Sequence, residues 1–196
     1  MKANAAEQLR TLGRVLNANW IVDWRVAIDG GVNLGDWTET MAERFPTVHA
    51  FEPGDDLVEA LGRRFSGRPG VVLHHAGLWR QAGRCSLVTP PKRDSKRSRY
   101  IVPGAGDIAT VALDELALDG VGLIKLDLEG AERDALIGAK ETIGRCRPVL
   151  ILEVDRHGER FGADAGTLLR LVAKLGYREV LEARPDRVFA PVERLP

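Results

Sequence analysis

The stretch AIDGGVNLGDWTETMAERF, residues 27–45, decides the fold. Apolar residues run into Asp29, Gly30 and Gly31; Asn33 and Gly35 come next, and a helical pattern then carries Leu34, Trp37, Met41 and Phe45 on one face. A buried strand that turns through glycines into a helix lets backbone approach a ligand with no side chain in the way and offers it unpaired helix amides. Outward from this stretch the alternation repeats. TVHAFEP (47–53) precedes a helix bearing Leu57, Val58, Leu61 and Phe65, which is followed by GVVLHHA (70–76). Further on come VGLIKLDLEG (121–130), helical AERDALIGAKETIG, RPVLILEVD (147–155) and a helix from Ala165 to Leu175. Strands alternating with helices of this length predict right-handed βαβ units, hence an α/β fold with a mostly parallel sheet covered on both faces. YREVLE, ARPD and RVFAPV then read as two strands joined too tightly to be parallel, so the sheet ends in an antiparallel hairpin.

The rest of the chain fits one domain of 196 residues. Residues 5–16 place Leu9, Leu12, Val15 and Leu16 at helical spacing, an amphipathic segment that serves as a lid or a packing helix. RCSLVTP (84–90) reads as a strand, and PPKRDSKRSRYIVPGAG (90–106) as a long polar loop. With 28 basic against 28 acidic residues, no global field draws the protein to nucleic acid or membrane. The first twenty residues lack a signal peptide's apolar stretch and no run is long enough for a membrane span, so cytoplasm is the default location. Cys85 and Cys146, without a CxxC pair, suggest neither a disulfide framework nor structural zinc.

The order D-G-G-V-N-L-G does not fit the G-x-G-x-x-G of nicotinamide sites, and a carboxylate at the head of the loop, Asp29, opposes a nearby pyrophosphate. A ligand with cationic groups suits it better, such as S-adenosylmethionine with its ammonium and sulfonium. Glu52, 17 residues after Gly35 and beside Pro53 at the next strand end, is placed to accept ribose hydroxyls. Asn33 suits helix capping and cofactor contact equally.

In order and spacing, IDGGVNLGDWT, AFEPGDDLVEAL, TVALDEL, LIKLDLEGAERDALIGAKETI and PVLILEV resemble the FkbM family of S-adenosylmethionine-dependent methyltransferases over roughly residues 25–155. The run IKLDLEGAE is the most specific, the family usually reading I-K-I-D-V-E-G-A-E; the family's D-V-G-A-N departs from D-G-G-V-N here. The resemblance implies a Rossmann-like class I methyltransferase fold of seven strands, the last antiparallel, and O-methylation of a sugar or other hydroxylated small molecule. It also implies a cofactor site of Asp29, Gly30, Gly31, Asn33, Gly35, Glu52, Pro53 and Asp127, with adenine contacts near Ala76, Gly77 and Leu78.

Methyl transfer to a weakly acidic alcohol needs in-line alignment and removal of a proton. At the carboxyl edge stand Asp127, Glu129 and Glu132, then Glu153, Asp155 and His157, with Lys125 in the buried strand beside them. Two readings stay open: His157 or a carboxylate such as Glu153 is the general base, or Asp127, Glu153 and a third oxygen or His157 hold Mg2+ that acidifies the hydroxyl. Glu132 reads best as a helix N-terminal acid and Lys125 as the partner of one of these acids. The basic run 92–99 is a solvated loop or gathers a phosphorylated or carboxylated acceptor; with only Tyr100 adjacent for stacking, nucleic acid is disfavoured. The alternatives to an O-methyltransferase are transfer to nitrogen or to nucleic acid, and a non-catalytic cofactor-binding partner or sensor.

Overall fold

The structure, a computed structural model, describes residues 5–90 and 98–196, with side chains from residue 9 on; residues 91–97 of the basic loop lie outside the described set. The strands are β1 Val26–Gly30, β2 Thr47–Glu52, β3 Val71–Leu78, β4 Gly83–Val88, β5 Tyr100–Pro103, β6 Ile108–Val111, β7 Val121–Leu126, β8 Val149–Glu153, β9 Tyr177–Ala183 and β10 Asp186–Pro191. The helices are α1 Ala5–Leu16, α2 Asp36–Met41, α3 Asp55–Arg64, α4 Glu132–Ile137, α5 Lys140–Cys146 and α6 Ala165–Lys174.

All ten strands form one sheet in the order β5-β4-β6-β3-β2-β1-β7-β8-β10-β9. From β3 to β8 the pairing is parallel, and β10 runs antiparallel to both β8 and β9. The seven expected strands are therefore present, the last antiparallel to its neighbours, and β4, β5 and β6 extend the sheet beyond β3. Part of the 90–106 segment read as loop is strand: Ser86 to Val88 pair with Val102 to Tyr100. Its YIVP run is too short, and too close to glycine and proline, to announce a strand by periodicity.

Alternation along the central strands sends successive side chains to opposite cores. Ala27, Leu123, Val149, Ile151 and Val188 pack on one face with Leu12, Val15 and Leu16 of α1 and with Trp37, Met41 and Phe45. Ile28, Ile124, Leu126, Leu150, Leu152 and Phe189 pack on the other with Leu136, Ile143, Leu168 and Val172 from α4, α5 and α6. The described part of α1 is thus a packing helix, its apolar face consumed by the core. Three local expectations change. Helix α2 begins at Asp36 rather than Asn33, because Gly35 at its N-cap is left-handed and Asn33 also has a positive φ. Leu34 accordingly sits outside the helix and is 44% exposed. The single helix read after Gly130 is two, α4 and α5, which part at Gly138 and Ala139.

Helix α3 carries Asp55 and Asp56 in its first turn and Arg63 and Arg64 in its last, matching the helix dipole at both ends. Asp164 caps α6 by accepting the Thr167 N–H at 2.7 Å. Among the described residues no helix is long and apolar enough to cross a membrane.

Candidate functional site

Strand order reverses at β1, which is flanked by β2 on one side and by β7 on the other. In open α/β sheets a crevice forms beyond the carboxyl ends of strands at such a point. Here an open cleft lies at that point. Its walls include Gly31, Asn33, Glu52 and Pro53 from the β1 and β2 ends, Ala76, Gly77 and Leu78 from β3, and Asp127 and Glu129 after β7.

The loop after β1 is built to leave this space open. Gly31 has φ +79°, and a Cβ there would lie 2.0 Å from the carbonyl oxygen of Asp127, so only glycine lets the β1 and β7 loops meet. Glu52 braces the loop from the next strand: Oε2 accepts the Asn33 N–H and Oε1 the Gly54 N–H, both at 3.0 Å. Burial raises the Glu52 pKa, opposed by these two amide bonds. The side-chain Oδ1 of Asn33 is buried without a hydrogen-bond partner, an acceptor the protein leaves for something else.

Asp29, Gly30 and Gly35, expected at the ligand, are not part of the cavity wall. Asp29 is completely buried one layer below, where Oδ1 lies 3.2 Å from Nζ of Lys125 and Oδ2 accepts the Thr38 hydroxyl at 2.6 Å. The pair is lateral, Asp29 and Lys125 standing side by side in register on β1 and β7. Nζ of Lys125 also donates to the carbonyls of Gly31 at 2.9 Å and Gly30 at 3.3 Å. Burial works to lower the Lys125 pKa, but Asp29, Asp127 and Asp186 outweigh it and raise it, so the amine is a charged strut and not a proton acceptor. A Cβ on Gly30 would press on Leu126 and Leu78, and one on Gly35 on Phe65 and Leu61; both glycines serve packing.

The remaining acids converge after β7 and β8. Gly130, at φ +111°, lets the loop after β8 lie against it, since a Cβ there would come within 2.4 Å of the His157 carbonyl oxygen. That contact brings the His157 ring to the acids. Its Nδ1 lies 3.0 Å from Oε2 of Glu129, 2.6 Å from Oδ2 of Asp155 and 3.9 Å from Oε2 of Glu153. Glu129 is itself left-handed at φ +54°, and Arg160 fixes it by donating from Nη1 to its carbonyl oxygen at 2.7 Å. Strained non-glycine backbone of this kind is characteristic of functional sites. Arg160 also lies 4.1 Å over the Tyr100 ring, while Phe161 packs edge-on to Trp79 and Tyr100.

Glu132, read as a helix N-terminal acid, does that: its Oε1 accepts the N–H of Leu128 at 2.7 Å and of Gly130 at 3.2 Å. Burial pushes its pKa up to about 8. Burial followed by the charges of Asp127, Glu132, Asp155 and Glu129 raises Glu153 further. The expected metal pair is regrouped. Among the described residues the donor atoms that cluster are those of Glu129, Glu153 and His157, and Asp127 stands outside that group in the cavity wall.

Sequence reasoning overlooked Arg99, which lines the cavity opposite Glu52 and pairs with Asp56 at 2.8 Å. Nothing separates it in the sequence from its basic neighbours. His74 and His75, left unassigned, point to their own partners: His74 stacks on Phe51 with ring centroids 4.3 Å apart and lies 2.9 Å from His49, and His75 lies 2.9 Å from Asp55.

A sheet that reverses order at β1, closes in an antiparallel hairpin and holds a glycine-turn cavity at the reversal defines the Rossmann-like methyltransferase class. The family model of the FkbM methyltransferase domain matches residues 29–179, and the chain belongs to this family of S-adenosylmethionine-dependent methyltransferases. Solved structures share the fold at low identity. Methyltransferase FkbM of Methylobacillus flagellatus KT is 19% identical with a TM-score of 0.58, over 85% of this chain and 43% of that one, so this chain spans less than half of that protein. SMU.1697c of Streptococcus mutans, solved with S-adenosylhomocysteine (SAH), is 12% identical with a TM-score of 0.56, over 96% and 97% of the two chains. N-methyltransferase NodS of Bradyrhizobium japonicum WM9, also with SAH, is 12% identical with a TM-score of 0.52, over 96% and 87%. No curated protein matches the chain by sequence.

Proposed function

We propose that this chain transfers a methyl group from S-adenosylmethionine to an oxygen of a small hydroxylated acceptor. The observation that carries the reading is the placement of His157, whose Nδ1 is 3.0 Å from Glu129, a residue of the cavity wall. An imidazole among carboxylates, beside that cavity, suits removal of a proton from a hydroxyl.

The cavity fits the cofactor's chemistry. The carboxylate of Glu52 has lone pairs left for ribose hydroxyls beyond the two amides it accepts, and the free Oδ1 of Asn33 can accept an ammonium or hydroxyl proton. Ala76, Gly77, Leu78 and Ile101 offer an apolar slot for a flat base. When bound, the cofactor supplies a methyl group on a cationic sulfur, a charge that Asp127 in the same wall stabilises. Glu129 and Asp155 orient His157, and the aromatic side chains of Trp79, Tyr100 and Phe161 limit water at that end. A divalent ion such as Mg2+ is a second means of acidifying the hydroxyl; the carboxylates that would serve it are Glu129 and Glu153.

Calorimetric titration of S-adenosylmethionine and SAH tests the cofactor half, with NADH as control. Both ligands are expected to saturate one site and to bind at least tenfold more weakly to Glu52→Ala, and NADH is expected not to bind. A folded protein that binds neither overturns the assignment. Acceptor screening with a sugar and natural-product hydroxyl set follows; turnover lost in His157→Ala at unchanged SAH affinity supports the base, and unchanged turnover refutes it.

A further inference from the structure

The group formed by Glu129, Glu153, Asp155 and His157 has a shape that proton chemistry alone does not explain. From His157 Nδ1 the carboxylate oxygens lie at 2.6 Å (Asp155), 3.0 Å (Glu129) and 3.9 Å (Glu153), and the donor atoms of Glu129, Glu153 and His157 all fall within 4.8 Å of one another. Ligands bound at about 2.1 Å to one ion stand about 3 Å apart at right angles and about 4.2 Å apart across it. Glu129 and Glu153, at 3.0 and 3.9 Å from Nδ1, stand at such spacings, while Asp155 at 2.6 Å is at hydrogen-bond distance from the ring.

A second observation points into the same space. The Glu153 side chain is only 8% exposed, yet its Oε2, aimed at the ring, has no hydrogen-bond partner. A proton on Glu153 would leave a buried O–H with no acceptor, and an ionised Glu153 would be a buried charge facing other carboxylates; either costs several kcal/mol. Among the described residues, the neighbouring lysine and arginine do not meet this need. Lys125 is held by Asp29 and the β1 carbonyls, and Arg160 is engaged by the Glu129 carbonyl and the Tyr100 ring.

We propose that Glu129, Glu153 and His157 bind one divalent cation. Two carboxylates with one imidazole suit Mn2+, a hard ion that accepts a nitrogen ligand, better than thiolate-seeking or strictly oxygen-bound metals. Because Glu129 belongs to both the cluster and the cavity wall, the ion stands where an acceptor hydroxyl can complete its shell and be acidified. That catalytic role rests on the methyl-transfer reading; the binding of the ion does not.

The test is calorimetric titration of Mn2+ into chelator-stripped protein, with SAH titrated separately and thermal melting recorded with and without Mn2+. One saturable Mn2+ site is expected, with affinity at least tenfold lower in Glu153→Gln and in His157→Ala. Mn2+ should raise the melting temperature of the wild type and leave that of Glu153→Gln unmoved. Without metal, Glu153→Gln should melt no lower than wild type, since it removes a buried charge. Should it fail to fold, Glu129→Gln is expected to give the same loss of affinity. Folded wild type that takes up no Mn2+, or equal uptake by the variants, overturns the site. Uptake of SAH without Mn2+ rejects the ion and leaves the cofactor reading; uptake of Mn2+ without SAH does the reverse.

Discussion

Replacing Lys125 by methionine keeps the length of the side chain and deletes the charge that ties β1 to β7. Nζ loses Asp29 at 3.2 Å and the carbonyls of Gly31 and Gly30 at 2.9 and 3.3 Å. Breaking a buried pair by removing one partner costs about 3–5 kcal/mol, because the surviving charge is left uncompensated. Asp29 keeps the Thr38 hydroxyl at 2.6 Å, which places the expected loss near the lower end, about 3 kcal/mol. For a domain of this size that is a fall of about 6–12 °C in melting temperature. Pairing the change with Asp29→Asn removes the stranded charge and retains the Thr38 bond, so the double variant should recover about 1–3 kcal/mol relative to additivity. Urea unfolding of the four proteins measures this coupling. A loss under about 1 kcal/mol for Lys125→Met, or additive costs in the double variant, would refute the strut. Stable folding with collapsed turnover would instead make Lys125 a group that meets the substrate.

Gly31→Ala should be worse for the cofactor than for the fold's core: the added methyl meets the Asp127 carbonyl at 2.0 Å, and the φ of +79° is strained for alanine, so SAH binding is expected to fall at least tenfold by calorimetry along with a drop in melting temperature. Glu132 predicts a pH effect of definite sign. Its folded pKa of about 8 exceeds the ordinary 4.5, so between these values the folded chain holds a proton that the unfolded chain has released, and stability falls as pH rises through that window. At about 1.4 kcal/mol per pH unit this amounts to a few kcal/mol. Glu132→Gln keeps a carbonyl oxygen for the Leu128 and Gly130 amides and should remove about one proton's share of the slope, the raised Glu153 contributing a like share; slopes identical to wild type in urea titrations at pH 5 and pH 8.5 would contradict the assignment.

What the sequence made legible follows from which interactions are local. The β1, β7 and β8 strands were readable because apolar runs that must be buried on both faces stand out against their flanks, and the β9–β10 hairpin because its connection is too short for anything else. Glu52 and Gly31 were readable for a related reason: strand-end residues in an α/β alternation have one place to go. Asp29 shows the limit. Its position at a strand end is the same in sequence whether it faces the ligand or the neighbouring strand, and what decides is the register that sets it beside Lys125, a contact 96 residues away. Strand β5 was hidden because its pairing partner, not its own pattern, makes it a strand.

The acidic end of the candidate site shows why the grouping of acids had to wait for three dimensions. Asp127 and Glu129 are two residues apart and both line the cavity, yet the turn into left-handed Glu129 and Gly130 brings only Glu129 to His157 of the loop after β8. That loop approaches only because Gly130 carries no Cβ against the His157 carbonyl. The glycine in LEGAE therefore does for the acids what Gly31 does for the cofactor cavity. It lets two loops from neighbouring strands touch, and the touching surfaces place an imidazole and three carboxylates beside the cavity at one sheet edge. A side chain at Gly130 would meet the His157 carbonyl at 2.4 Å and so push the His157 segment away from Glu129.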